Sequence, residues 1–197
     1  YSSSKVCAEQ MVHSYKNSFF KENTSQQLAT VRAGNVIGGG DYSEDRLIPD
    51  IYRFKKANKN IFLRNPSAVR PWQHVLEPLN GYLILAQKIH TSQIKKEKQN
   101  WNFGPSISCC KSVKYVSNFF AKNLNLKVKT NSKQKNNFKP ETSILRLSNF
   151  KSRKILNWYP KWNLDTSLKK IIEWNENIIK YNARKVCESQ IIEFLKR

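Results

Sequence analysis

Short apolar strands alternating with amphipathic helices predict an α/β fold. Three features of the 197-residue sequence carry this expectation. Runs of β-branched, aliphatic and aromatic residues at Leu28–Ala33, Ile61–Leu63 and Trp101–Phe103 read as buried strands. Apolar residues recur at helical spacing between them. A glycine-rich loop, Gly34 to Asp41, follows the first strand directly. The order of elements becomes irregular after residue 60, so a single doubly wound sheet is not expected.

Val6, Ala8, Met11, Val12, Tyr15 and Phe19 place a helix over residues 1–20. A second helix starts near Leu47, where Pro49 is tolerated in the first turn. Val69–Trp72 precedes a helix over Leu76–Ile89, and Gly104-Pro105 ends the strand at Trp101–Phe103. Ser112–Ala121 reads as helical and Leu126–Val128 as a short strand, with a polar, basic loop over 129–140. Further helices are expected over Ser148–Leu156, over Leu164–Ala183 with Asn163 or Asp165 as its cap, and over the basic tail from 184. The five tryptophans read as core packing rather than stacking platforms.

Composition sets the limits. The chain carries 35 Lys plus Arg against 14 Asp plus Glu, a formal net charge of +21. Such a balance raises a nucleic-acid partner as a rival reading. The basic residues are instead spread through runs such as KKANKN and KKEKQN, where loops and solvated faces belong. No nucleic-acid partner is therefore expected. No apolar run reaches the ~20 residues a membrane helix requires, so no membrane partner is expected either. None of the four cysteines forms a C-x-x-C pair or lies at ligand spacing from a histidine. The expectation is a reducing, cytoplasmic setting with no metal.

Tyr1 and Lys5 are four residues apart, which puts them on one face of a helix. A lysine ammonium beside a phenol lowers the phenol's pKa from about 10 and favours the phenolate. Such a pair can take a proton from an alcohol. On its own, Y-x-x-x-K also occurs by chance on many helices. Longer blocks accompany it: Y-S-S-S-K-x-x-x-E, V-R-A-G-N-V-I-G-G-G-D, D-R-L-I-P-D, R-N-P-x-x-x-R-P-W-Q-H-V-L-E-P and W-N-F-G-P-S.

Together these blocks resemble the extended short-chain dehydrogenase/reductases, and within them the nucleotide-sugar 4,6-dehydratases. The resemblance runs from Tyr1 to about Ile179. It implies the C-terminal part of an extended Rossmann-fold enzyme: the end of the parallel sheet plus a smaller substrate-binding subdomain. Residues 1–45 would be a remnant of the NAD-binding domain with the Tyr–Lys helix. Residues 46–197 would be mainly the nucleotide-sugar subdomain with interleaved Rossmann segments. NAD is the implied cofactor, a CDP-linked glucose the implied substrate, and a homo-oligomer the implied state of the complete enzyme. Tyr1 is implied as catalytic base, with Lys5 as its partner and holder of the nicotinamide ribose. Asn35, Arg46, Leu47, Ile48, Arg70 and Asn102 are implied as substrate contacts, with Arg70 on the diphosphate. His74 reads as a structural residue that orders the Arg70 loop. Ser148 stands where relatives carry Asp. The glycine fingerprint for the NAD pyrophosphate is absent from these residues, so the 197-residue chain alone is expected to be inactive. Another nucleotide-sugar dehydratase or a 4-epimerase is the nearest alternative.

Overall fold

A computed structural model of the chain describes residues 2–20, 27–94, 100–130 and 142–196. The first helix, α1 (Ser2–Phe19), leaves Met11 and Phe19 exposed. It is tied to strand β1 (Thr30–Ala33) through Glu9, which accepts from Thr30 Oγ1 at 3.1 Å and pairs with Arg32 at 2.6 Å. β1 runs parallel to β5 (Asn100–Phe103), in register from Thr30↔Asn100 to Ala33↔Phe103. Trp101 and Phe103 project from β5 into a core shared with α3 (Leu76–His90) and α5 (Phe150–Leu156). That core holds Leu85, Leu156 and Trp158.

At Gly34 the chain turns sharply from β1 into β2 (Asn35–Ile37). A Cβ on Gly34 would lie 2.6 Å from the carbonyl oxygen of Pro71, so no other residue fits without moving backbone. β2 pairs in parallel with β4 (Val69–His74), which pairs antiparallel with β6 (Cys110–Ser112) on its other side. Gln73 Nε2 donates to the carbonyl of Phe103 at 2.7 Å and stitches this sheet to the β1–β5 pair. A third parallel pair, β3 (Ile61–Leu63) with β7 (Val128–Thr130), lies under α4 (Val113–Leu124). The second and larger core gathers Ile37, Ile51, Ile61, Trp72, Phe120 and Leu168 from these strands, α2 (Leu47–Lys56), α4 and α6 (Leu164–Asn177). All five tryptophans are buried.

The alternating order and most helices match the sequence expectation. β2 and β6 were not expected as strands. Each is three residues long and carries no alternation of its own, and both exist because β4 offers them an edge. The helix expected over Leu164–Ala183 is shorter and stops at Asn177, and α7 (Ala183–Leu195), the helix expected over the tail, starts with Asn182 as its cap, accepting from Lys185 N–H at 2.9 Å. Asn163, not Asp165, caps α6, through a 2.8 Å bond from Thr166 N–H. Asp165 accepts instead from Tyr115 Oη at 3.2 Å.

Candidate functional site

The carboxyl ends of parallel strands are where open α/β sheets bind ligands. In this chain β1 and β2 end at Ala33 and Ile37. A helix and the strand that follows it in an α/β unit run in opposite directions, so the first turn of α1 belongs at the carboxyl end of β1. Lys5 is on that turn and exposed. Tyr1 lies outside the described residues.

Asn35 opens β2 immediately beyond this end, half-buried and in register with Trp72. Arg70 lies on the neighbouring strand, two residues before Trp72, and so projects from the same face of the sheet. Arg70 is buried, and its Nη1 donates to the carbonyls of Val69 and Thr142, both at 2.8 Å. These bonds reinforce the bridge that holds residues 143–145 against Val69. Arg70 is therefore an anchor for that segment, whatever else its guanidinium touches. Asn102 is on β5, with a buried side-chain oxygen that has no donor among the described residues.

Arg46 is exposed at the start of α2 and donates to Asp41 Oδ2 at 3.1 Å. Burial works upward on the Asp41 carboxyl, but hydrogen bonds from Ser43 and Arg46 outweigh it and hold the group below the usual range. Arg53 adds bonds to the carbonyls of Tyr42 at 3.1 Å and Ser43 at 3.0 Å, and pairs with Asp50. Leu47 is half-buried, and Ile48 belongs to the larger core. Of these three expected substrate contacts, Ile48 thus directs its side chain inward.

Of the glycines at 38–40, Gly38 faces Val75, and the other two share an occupant of their own. A Cβ on Gly39 would fall 2.1 Å from the Trp174 ring, and one on Gly40, whose φ is +77°, would lie 3.3 Å from it. The indole fills the space these glycines leave open.

Residues 1–104 match the NAD dependent epimerase/dehydratase family. The chain belongs to this family. A CDP-glucose 4,6-dehydratase of Salmonella typhimurium is 40% identical over 198 residues, covering 98% of this chain and 54% of the relative. Among solved structures, the fold is shared with dTDP-glucose 4,6-dehydratase from Bacillus anthracis in complex with NAD, at a TM-score of 0.70, 19% identity, and coverage of 90% of this chain and 52% of that one. A UDP-galactose 4-epimerase gives a TM-score of 0.67 at 18% identity, over 87% of this chain and 51% of its own. The chain spans about half the length of these relatives.

One buried polar residue of this epimerase/dehydratase chain escaped the reading of the sequence, and a second serves a different element from the one expected. Glu77, 1% exposed, accepts from Trp162 N–H at 2.7 Å and from Lys161 N–H at 3.0 Å. Burial pushes its carboxyl up, against the pull of those N–H groups and of the Lys161 charge. A carboxylate inside the apolar run LEPLNGYLILA was the available signal. His74 is equally buried, with its ring edge-on to Trp162 at 4.9 Å. Its Nδ1 accepts from Leu76 N–H at 3.3 Å, so the ring serves the first turn of α3, not the Arg70 loop expected from sequence.

His74 predicts an acid sensitivity. Burial, with the Lys170 charge adding to it, lowers its pKa to about 4. The unfolded chain titrates near 6.5. Between these values the unfolded state binds more protons, so stability falls as pH falls through that window, by about 3 kcal/mol in all. Glu77 acts in the opposite sense, because its raised carboxyl pKa favours the folded state on acidification. Thermal unfolding between pH 7 and pH 4 should show a downward slope that His74→Phe flattens. Equal slopes in the two proteins would remove His74 as the cause.

Proposed function

We propose that the protein carrying this chain is a CDP-glucose 4,6-dehydratase that converts CDP-glucose to CDP-4-dehydro-6-deoxyglucose and water. The observation that supports this most is the 40% identity to such an enzyme across 98% of the chain. Within that stretch Asn35 and Arg70 stand on the same face of two paired strands.

NAD, when bound, supplies the hydride acceptor and donor. The chain's own part begins with Lys5, whose ammonium would favour the Tyr1 phenolate and bind a ribose hydroxyl. The phenolate takes the proton of the sugar 4-hydroxyl. A ketone at carbon 4 acidifies the hydrogen at carbon 5, and water then leaves across carbons 5 and 6. The Gly38–Gly40 loop takes no part in holding the NAD pyrophosphate, since Trp174 occupies it and it lacks the G-x-G-x-x-G spacing. Arg70 is the residue proposed to bind the nucleotide diphosphate. Asn102 contributes a polar contact beside it.

Product analysis tests the reaction. A dehydratase product from CDP-glucose has lost one water and its 6-hydroxyl, whereas an epimer keeps both, and an epimer as sole product would overturn this reading. For the diphosphate contact, Arg70→Ala should weaken CDP-glucose binding by roughly 2–4 kcal/mol and Arg70→Lys should recover only part of it. Titration of folded Arg70→Ala at the wild-type Kd would leave Arg70 with its anchoring role alone.

A further inference from the structure

Residues 38–46 connect the carboxyl end of β2 to the first turn of α2, and Arg46 and Leu47 stand at the far end of this loop. Its three consecutive glycines leave the backbone of residues 38–40 free to take many conformations. Beyond them, Asp41 ties Ser43 and Arg46 together within the loop, and Arg64 pairs with Asp45 at 3.1 Å. Two further contacts hold the loop from outside. Arg53 holds its middle, by the carbonyls of Tyr42 and Ser43. Trp174 holds its beginning: the indole lies against Gly39 so closely that even a methyl group there would meet ring atoms at 2.1 Å, and it continues under Gly40.

Trp174 is itself held. It is 4% exposed on α6, and its Nε1 donates to Cys187 Sγ on α7 at 3.4 Å. α6 also meets α2 in the larger core, where Tyr52 packs against the buried cluster that holds Ile171 and Ile172. α6 therefore braces the loop and the helix the loop leads into.

We infer that Trp174 is a positioning residue for nucleotide-sugar binding: by pressing on Gly39 and Gly40 it preorganises the 38–46 loop, so that Arg46 and Leu47 meet the nucleotide without a cost in loop ordering. This inference rests on the dehydratase reading above. A loop that must be ordered on binding weakens affinity without altering the reaction once the substrate is seated. The signature is accordingly a change in KM and Kd at nearly constant kcat.

The experiment is a cycle in the complete enzyme with CDP-glucose as ligand. Trp174→Leu should raise Kd and KM about 10-fold or more, with kcat at saturation within about threefold of wild type. Trp174→Phe keeps a ring in the cleft and should recover most of the affinity. Gly39→Ala, which drives a Cβ into the indole, should raise KM as well. The double variant Gly39→Ala/Trp174→Leu should bind better than the two single losses multiplied together, because removal of the ring makes room for the methyl group. If Trp174→Leu does not fold, Trp174→Phe and Gly39→Ala still decide the matter. Gly39→Ala at the wild-type KM, or a fall in kcat at unchanged KM in any folded variant of the set, overturns the inference. A wild-type enzyme that fails to bind CDP-glucose overturns the dehydratase reading, and this inference with it, before any variant is compared.

Discussion

On the dehydratase reading proposed above, Tyr1→Phe in the complete protein is expected to lower kcat by roughly 10²–10⁴, the scale on which a general base contributes, while leaving CDP-glucose affinity nearly unchanged. The substitution removes the hydroxyl that ionises and keeps the ring, so any packing by the ring survives. Lys5 supplies the companion test. With the cation gone in Lys5→Met, the phenol pKa rises, and the acid limb of the pH–rate profile should move to higher pH. Steady-state rates over a pH series measure both effects. An acid limb that stays in place in Lys5→Met would refute the electrostatic role of Lys5, and a Tyr1→Phe enzyme within tenfold of wild type would refute the assignment of the base.

The largest loss of stability is expected from Glu77→Ala, at about 3–5 kcal/mol, the range seen when a buried charged partner is removed. Its carboxylate gathers the N–H groups of Lys161 and Trp162 at the entrance to α6. Its own carbonyl accepts from Trp158 Nε1 at 3.3 Å. Truncation leaves two backbone donors without an acceptor in a region closed to water, and a cavity beside them. Glu77→Gln keeps the volume and one acceptor oxygen but turns an amide N–H₂ toward backbone donors, so it should fall between Ala and wild type. Denaturant unfolding gives the numbers, and a Glu77→Ala protein within 1 kcal/mol of wild type would show that these bonds contribute little.

Local periodicity made much of this fold readable. The helix of residues 2–19, the strands at Ile61–Leu63 and Trp101–Phe103, and α3 each carry their pattern within a few residues. β2 and β6 carry none, since three residues show no period and their reason for being strands is the edge of β4. The break after Asn177 was obscured because apolar residues, Ile178 and Ile179, continue past it, and Ile179 is in fact exposed. Of the site, motif blocks pointed to Asn35, Arg70 and Asn102. They could not reveal that Arg70 also anchors Thr142, or that the glycine loop is filled by an indole from a distant helix. Contacts of that kind have no local signature, because neither partner's neighbours in sequence reveal what it will meet.

β4 is the strand on which the other parts converge, and this has a consequence for the order in which the chain can assemble. It takes β2 on one side and β6 on the other, then the bridge to Ile144, while Arg70 reaches Thr142 across 72 residues of sequence. Contacts of such long range require closure of long loops before they stabilise anything, which slows folding. As a ribosome releases the chain from its N-terminal side, Arg70 and the β4 edge emerge well before the segment that completes them. The nascent chain therefore passes through a stage in which a cationic strand with one open edge waits for its last neighbours. Chaperone protection during synthesis would matter most in that interval.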